Sequence, residues 1–560
     1  MTRITVKVVR KFVGVAGLIS QEIFVVVMRS PWFSAFSVFA RNPACARRRR
    51  RVGRREVCSA QIYGGQGAGR SGTVALGCDL LERRIVLASG ESDFVFSQGT
   101  ITGYKGLGGG VDIPSIIGGV PVAVIGENAF ARNAAITSVS IPDSVVFVGN
   151  SAFDGDTALT RITIGKGVQA IGNSAFSGNT ALAAVNIPGT VRTIGDSAFL
   201  GDIALTRLTI GAGVQTIGNS AFSGNTALPG VKIPGSVKTI GDSAFSENTA
   251  LEQLTIGAGV QTIGNYAFSG NTALQTVKIP GSVKIIGDFA FSGNTALTQL
   301  TIGAGVQTIG IYAFSGNTAL KSVIIPGTVK TIGDSAFSGD SGLTQLTIGA
   351  GVQTIGSYAF IGNTALKSVI IPGTVKTIGE GAFFRNTALK HLTIAKGVQT
   401  IGDSAFESCR ALWGVKLPDS VTKLGARAFY GNTRLNAADV GNGLAVLAPE
   451  VFAQCTALRA VVVGRGVTSI KAEAFAGNRV LSWIQFQGST LPTIHPTAFS
   501  GVAPGAIAHV LVQPVELVSL FVRRETVGAA EEAKKDIDDA IDEGVWAQKT
   551  NVKRPGTGDN

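Results

Sequence analysis

Phenylalanine recurs in this chain at positions 130, 153, 176, 199, 222, 245, 268, 291, 314, 337, 360, 383, 406, 429, 452 and 475, a strict spacing of 23 residues. Phe499 follows one residue late. A fixed period of roughly 20–50 residues marks a solenoid, in which each coil buries its apolar face only by stacking on its neighbours. This overrides the three or four domains that 560 residues would otherwise suggest. It also explains why charged residues make up only 15% of the chain while glycines number 74: tight coils need turns and leave few positions free for charge.

One coil can be read residue by residue. Leu297, Leu300 and Ile302 have the L-x-x-L-x-I pattern of a short strand with inward side chains. Gly303-Ala304-Gly305 turns the chain, and Val306 and Ile309 point inward again. Ala313-Phe314 fills the far corner, and Ser315-Gly316-Asn317-Thr318 turns back toward Leu320. Stacking such coils predicts a parallel sheet on one face, with short extended or single-turn helical pieces opposite. Sixteen rungs at about 4.8 Å give a length of roughly 80 Å.

The recurring IPGSVKTIGDSAFSGNTAL-x-x-L-x-I resembles the leucine-rich repeats of the BspA-like type, also called the Treponema pallidum type. The resemblance covers about 370 of the 560 residues and recurs in every coil. It implies a leucine-rich-repeat solenoid, β-rich, in a family of surface or secreted proteins of bacteria and protozoa, some acting in adhesion and protein binding. The expected layout is a basic leader at 1–93, an N-terminal β cap at 94–124, the solenoid at 125–501, and a C-terminal cap, helix and tail at 502–560.

Two ladders follow from the 23-residue period. Phe268, Phe291 and Phe314 belong to the core column. Asn271, Asn294 and Asn317 stand three residues later, where a short amide can bond turn backbone that would otherwise be unpaired. Asp156, Asp202 and Asp340 replace Asn in three coils, too far apart to converge on a metal, and Cys409 and Cys455 replace it in two more. These two cysteines are two coils apart, about 10 Å, beyond disulfide reach, so they read as buried free thiols.

A second period, of 46 residues, shows at the corners. Pro142, 188, 234, 280, 326, 372 and 418 follow every second strand, and Gly165, 211, 257, 303 and 349 follow the others. Gln and Lys or Arg alternate seven residues before each Phe from Gln169 to Gln399, which keeps like charges apart on adjacent rungs. This row reads as a soluble outer face, or as a weakly basic stripe for an acidic glycan or protein.

Recognition is best sought at the central strand position, which faces outward. There successive coils present Thr209, Lys232, Thr255, Lys278, Thr301, Ile324, Thr347, Ile370, Thr393 and Lys416. The candidate partner-binding residues are Lys232, Lys278, Thr301, Ile324, Thr347, Ile370 and Lys416. Ile324 and Ile370 stand out because exposed apolar side chains on a broad sheet can mark a contact surface.

The net charge of +13 is concentrated at the start: residues 1–100 hold 16 basic and 6 acidic side chains, and the remaining 460 hold 33 and 30. The array therefore lacks the basic footprint that nucleic acid requires. Phe12 to Ile19 reads as the core of an export signal, with Val38-Phe39-Ala40 as a cleavage site. The alternative is a disordered or wrongly assigned start. No run there is long enough to span a membrane. The Arg47–Arg51 cluster reads as a solvated run or an anionic contact. Gly64-x4-Gly69-Arg70-Ser71 lacks the Lys of a phosphate loop. A helix is expected from Thr526 to Glu543, with Glu531 and Lys535 as an i,i+4 pair.

Near-identical coils offer no unique convergence of groups, and His391, His495 and His509 lie in dissimilar contexts with no nucleophile or metal spacing. The expectation is a non-enzymatic protein without cofactor or metal. It would bind a protein or glycan ligand through its strand face, secreted or at the cell surface. The alternatives are a structural spacer grown by duplication and an intracellular, cytoplasmic interaction scaffold. Oligomeric state is not set by the sequence.

Overall fold

A computed structural model describes residues 90–502 and 504–510. The leader through residue 89 and the expected helix at Thr526–Glu543 lie outside the described residues. The repeats form a parallel β-solenoid in which each 23-residue coil contributes two strands. A front strand of three to four residues carries the L-x-x-L-x-I pattern, as in Ser322–Ile325 and Gln345–Ile348. A side strand of two residues carries the Thr-Ile pair, as in Thr308–Ile309 and Thr331–Ile332. Partners are 23 residues apart throughout the regular array, for example Thr308 with Thr331 and Ile324 with Thr347. At the last turn the side strands Ser469–Ile470 and Thr493–Ile494 pair 24 apart, while Val462 and Gln485 keep 23 on the front. The extra residue that makes Phe499 late is therefore absorbed between Phe486 and Thr493.

The side strands, not the front strands, make the continuous sheet. It has 16 strands, starting with the hairpin Phe94–Ser97/Thr100–Tyr104 and running to Lys423–Leu424. The front is broken into short sheets along most of the array. Proline accounts for most of the breaks, although the four-stranded sheet from Gly230–Ile233 to Gln299–Thr301 runs on through the coil of Pro280. The strand before Pro326 pairs with the strand before Gly349, and the strand before Pro372 with the strand before Ala395. Gly349 N–H donates to Ile325 O at 2.9 Å, and Ala395 N–H to Ile371 O at 3.0 Å. A proline in the same place has no N–H to give, so the front ladder stops between the strand Gln299–Thr301 and the strand Ser322–Ile325. The 46-residue period is thus a hydrogen-bonding unit as well as a sequence pattern. Glycine tightens the same pair of coils: a Cβ on Gly305 would overlap the Gly281 carbonyl oxygen one coil below.

Inside, the 17 phenylalanines from Phe130 to Phe499 form one column. Successive rings lie 4.7–5.7 Å apart with planes within 13°. These separations suit offset stacking. Phe94 and Tyr104 of the first hairpin close the column against Phe130, with centroids 6.3 and 5.3 Å away. Thr100 and Ile101 pair in parallel with Val124 and Ile125, so the hairpin also supplies the first rung of the side sheet. Within the same stretch, Gly109–Asp112 already pairs with the front strand Ile136–Ser140.

Candidate functional site

Strand alternation sets what the front face shows. Val323 and Ile325 are buried in the core, and Ile324 between them is 67% exposed. Two rungs on, Ile370 is 46% exposed between buried Val369 and Ile371. Thr347 lies between them, in register with Ile324, and is exposed. Lys232, Lys278 and Thr301 are likewise exposed on the face. Lys416 is exposed too and pairs with Asp439 on the next coil at 3.6 Å, a surface ion pair of small energetic weight.

The face around the two isoleucines carries more than the central column. Lys321, Lys367 and Lys390 are exposed just before their front strands, with Thr344 between the first two, and Trp413 continues their row at 44% exposure. The sequence pattern had not singled these out, because they lie outside the central column. The result is an apolar centre of Ile324 and Ile370 with a basic rim and one aromatic edge.

The polar ladder behind the core holds the coils together. Asn271 N–H donates to Asn294 Oδ1 at 2.8 Å, and Asn294 N–H donates to Asn317 Oδ1 at 3.0 Å. Asn271 Nδ2 donates to Phe268 O in its own coil and to Phe245 O one coil back. Asn317 Nδ2 makes the same two bonds to Phe314 O and Phe291 O. Cys409 Sγ and Cys455 Sγ keep one of these contacts, to Phe383 O and Phe429 O. Both thiols are free and buried, and burial pushes each up to about 12.

The three aspartates use the ladder differently. Asp340 Oδ1 accepts Asn317 N–H, and its other oxygen is buried without a partner among the described residues. Burial pushes the Asp340 and Asp202 carboxyls well above the usual range, and Asp156 to about 7. A neutral carboxyl carries an O–H, a donor of the kind that the Asn side-chain amide supplies elsewhere in the ladder.

Titratable groups do not converge elsewhere. Among the described residues no three of His, Cys, Asp and Glu gather as metal ligands, and no helix is long and apolar enough to cross a membrane. His391 is half-buried on the front, His495 Nδ1 meets Thr497 Oγ1, and the His509 ring lies 5.8 Å from Trp483.

A second surface feature escaped the periodic reading. Two residues before the core Phe, seven coils have Ser in the left-handed region, as at Ser220 (φ 51°) and Ser243 (φ 54°). Tyr266, Phe289 and Tyr312 hold that strained position instead, at φ 52–55°. Their rings stack at 4.6 and 4.8 Å, with Ile285 and Ile311 also exposed on these coils. The signal in the sequence was the substitution of Ser by an aromatic residue in consecutive coils.

The sequence matches the model of the BspA type leucine rich repeat region in overlapping segments, 112–228, 193–316, 284–412 and 383–503, well over half of the chain. The chain belongs to the BspA-type leucine-rich repeat family. Among solved structures it is similar to a leucine-rich repeat protein from Bacteroides ovatus, with 26% identity and a TM-score of 0.55, covering 70% of this chain and 97% of that one. The leucine-rich repeat protein of T. pallidum matches at 26% identity over 42% of this chain and 90% of its own, with a TM-score of 0.27. A leucine rich cell surface protein from Faecalibacterium prausnitzii matches at 23% identity over 77% of this chain and 96% of its own, with a TM-score of 0.26. No curated protein matches the sequence. As a BspA-type array, the molecule is a scaffold consistent with protein binding.

Proposed function

We propose that this BspA-type protein is a non-enzymatic binding or adhesion protein, secreted or held at the cell surface, that captures a protein through the front face between Lys321 and Lys416. The observation that carries the reading is the exposure of Ile324 and Ile370 on the front strands, where the other coils of the same column from Thr209 to Lys416 have Thr or Lys. A buried apolar centre ringed by charge is the usual anatomy of a protein interface. Lys321, Lys367 and Lys390 call for a partner with an acidic rim. A glycan ligand fits less well, because aliphatic Ile offers a sugar no hydrogen bonds.

Location outside the cell rests on the family resemblance and on the expected export signal in the leader. Protease shaving of intact cells would remove a displayed array, and N-terminal sequencing of the mature chain would show a removed leader. An unshaved cytosolic chain would favour the intracellular scaffold.

Binding is tested with the full chain and its Ile324→Ser/Ile370→Ser variant against arrays of extracellular protein domains and of glycans. The expected outcome is saturable, salt-weakened binding to a protein, reduced at least about tenfold in the variant, as for loss of interface anchors. A chain with no saturable partner on either array would instead be a spacer.

A further inference from the structure

The front face changes character near its C-terminal end. In the outward column of Ile324, Thr347, Ile370 and Lys416 the last coils reach Val462, and in the outward column of Ser322, Gln345 and Gly414 they place Ala437, Ala460 and Trp483. Front-strand register fixes their orientation: Ala437 pairs with Ala460, Ala460 with Trp483, and Asp439 with Val462. Each alternates with a core residue such as Val461 or Ile484, so each points away from the core. Yet all four are buried, with Val462 at 7% and Trp483 at 8% exposure. They form an apolar cluster of their own, separate from the phenylalanine core. Trp483 Nε1 is buried and finds no acceptor among the described residues.

We infer that the occupant of this patch is the chain's own acidic C-terminal segment, residues 526–543, folded back over the front of the last coils. Three observations select it over a separate partner. The final front strand, Ile507–Val510, pairs with Trp483–Phe486 and so releases the chain beside the patch. The 15 residues from 511 to 525 can extend roughly 50 Å, while the patch begins within about three rungs, roughly 15 Å. The segment has the right chemistry. Val527, Ala530, Ala533, Ile537 and Ile541 recur at helical spacing. Its charges are seven acidic and two basic. The patch offers small Ala437 and Ala460 for close approach, and exposed Arg459 and Lys416 at its margin. A carboxylate or carbonyl of the segment supplies the acceptor that Trp483 Nε1 lacks.

This docking goes beyond ligand capture by the coils around Ile324 and stands independently of it. It assigns the front of the last coils to an intramolecular contact and ends the free face near Lys416.

Hydrogen exchange of the full chain, read by mass spectrometry, tests it. Peptides within 526–543 should exchange at least about tenfold more slowly than the same sequence as a free peptide. That protection should not change with dilution. Val462→Glu should return the segment to within about threefold of free-peptide rates while leaving coils 130–420 unchanged. Arg459→Glu alters only an exposed side chain, and should reduce protection severalfold without touching the core. Free-peptide exchange in the unmodified chain would overturn the inference. So would protection indifferent to both substitutions, or protection that disappears on dilution together with a dimer, which would assign the patch to a second copy.

Discussion

Asn294 Oδ1 accepts the backbone N–H of Asn271 from the neighbouring coil at 2.8 Å, in a place sealed from solvent on all sides. The bond gives a turn amide a partner that neither water nor its own coil can offer. Asn294→Ala removes the acceptor for Asn271 and the donor to Phe291 O. The expected cost is about 1–3 kcal/mol per buried group left unpaired. Chemical denaturation measures the total. Hydrogen exchange should place the damage in the coils around Asn271 and Asn294, because repeats contact only their neighbours.

The aspartates in this ladder predict a dependence on pH of unusual sign. The folded state holds the Asp340 proton more tightly than the unfolded chain does, because burial raises the carboxyl well above its ordinary value. Its contribution is therefore complete below the ordinary carboxylate range and falls as pH rises toward the raised folded value. Asp340→Asn supplies the donor without a proton to lose. It should stabilise the protein by about 1–3 kcal/mol at pH 8, and by progressively less as the pH is lowered toward 4. In Asp156, held at about 7 by burial with Asp154 nearby, the same loss should centre between the ordinary carboxylate range and neutrality. Equal stabilities of the Asp340→Asn variant and the parent across this range would contradict a neutral carboxyl.

Two residues after each core Phe, most coils have Gly in the left-handed region, as at Gly270 (φ 73°) and Gly293 (φ 72°). Glu247 occupies the same place at φ 58°. A left-handed non-glycine residue costs roughly 1–2 kcal/mol, part of which glycine returns through its freer unfolded state. Glu247→Gly should thus raise stability by about 0.5–1 kcal/mol in thermal or denaturant unfolding.

Cys409 and Cys455 should be chemically silent in the native chain. Their thiols are fully buried and pushed up to about 12, so almost no thiolate forms at pH 8. Alkylation mapped by mass spectrometry should label neither residue until denaturant is added. Labelling of the native protein at a rate close to that of a free thiol would mean that these coils open readily.

Much of this architecture was legible because a solenoid writes its packing into a period. Phe268, Phe291 and Phe314 had to be equivalent, and a residue such as Asn271 three places on had to serve its own coil and the next. The dominance of the side sheet was not legible. The alternation of Pro326 with Gly349 was plain in the sequence, but its consequence depends on which carbonyl lies one rung below, and that is a property of the stack. The outward direction of Ile324 followed from strand alternation. Lys321 and Trp413 become neighbours of that column only through the lateral order of the front strands. The stacked Tyr266, Phe289 and Tyr312 were missed for a different reason: the replacement of Ser by aromatic residues was visible in the sequence, but the left-handed backbone that lines their rings up was not.

The alternation of Pro and Gly corners also bears on how such a gene can change. Slipped recombination between repeats that removed or added a single coil would bring two corners of one kind together. Two adjacent proline corners would lack the N–H that Gly349 gives to Ile325. Two adjacent Gly-Ala-Gly corners would meet a different backbone below from the one Gly305 sits on. Exchange by whole pairs preserves both contacts. Related alleles should therefore differ in length by multiples of 46 codons, with odd counts confined to the irregular coils beyond Gln399.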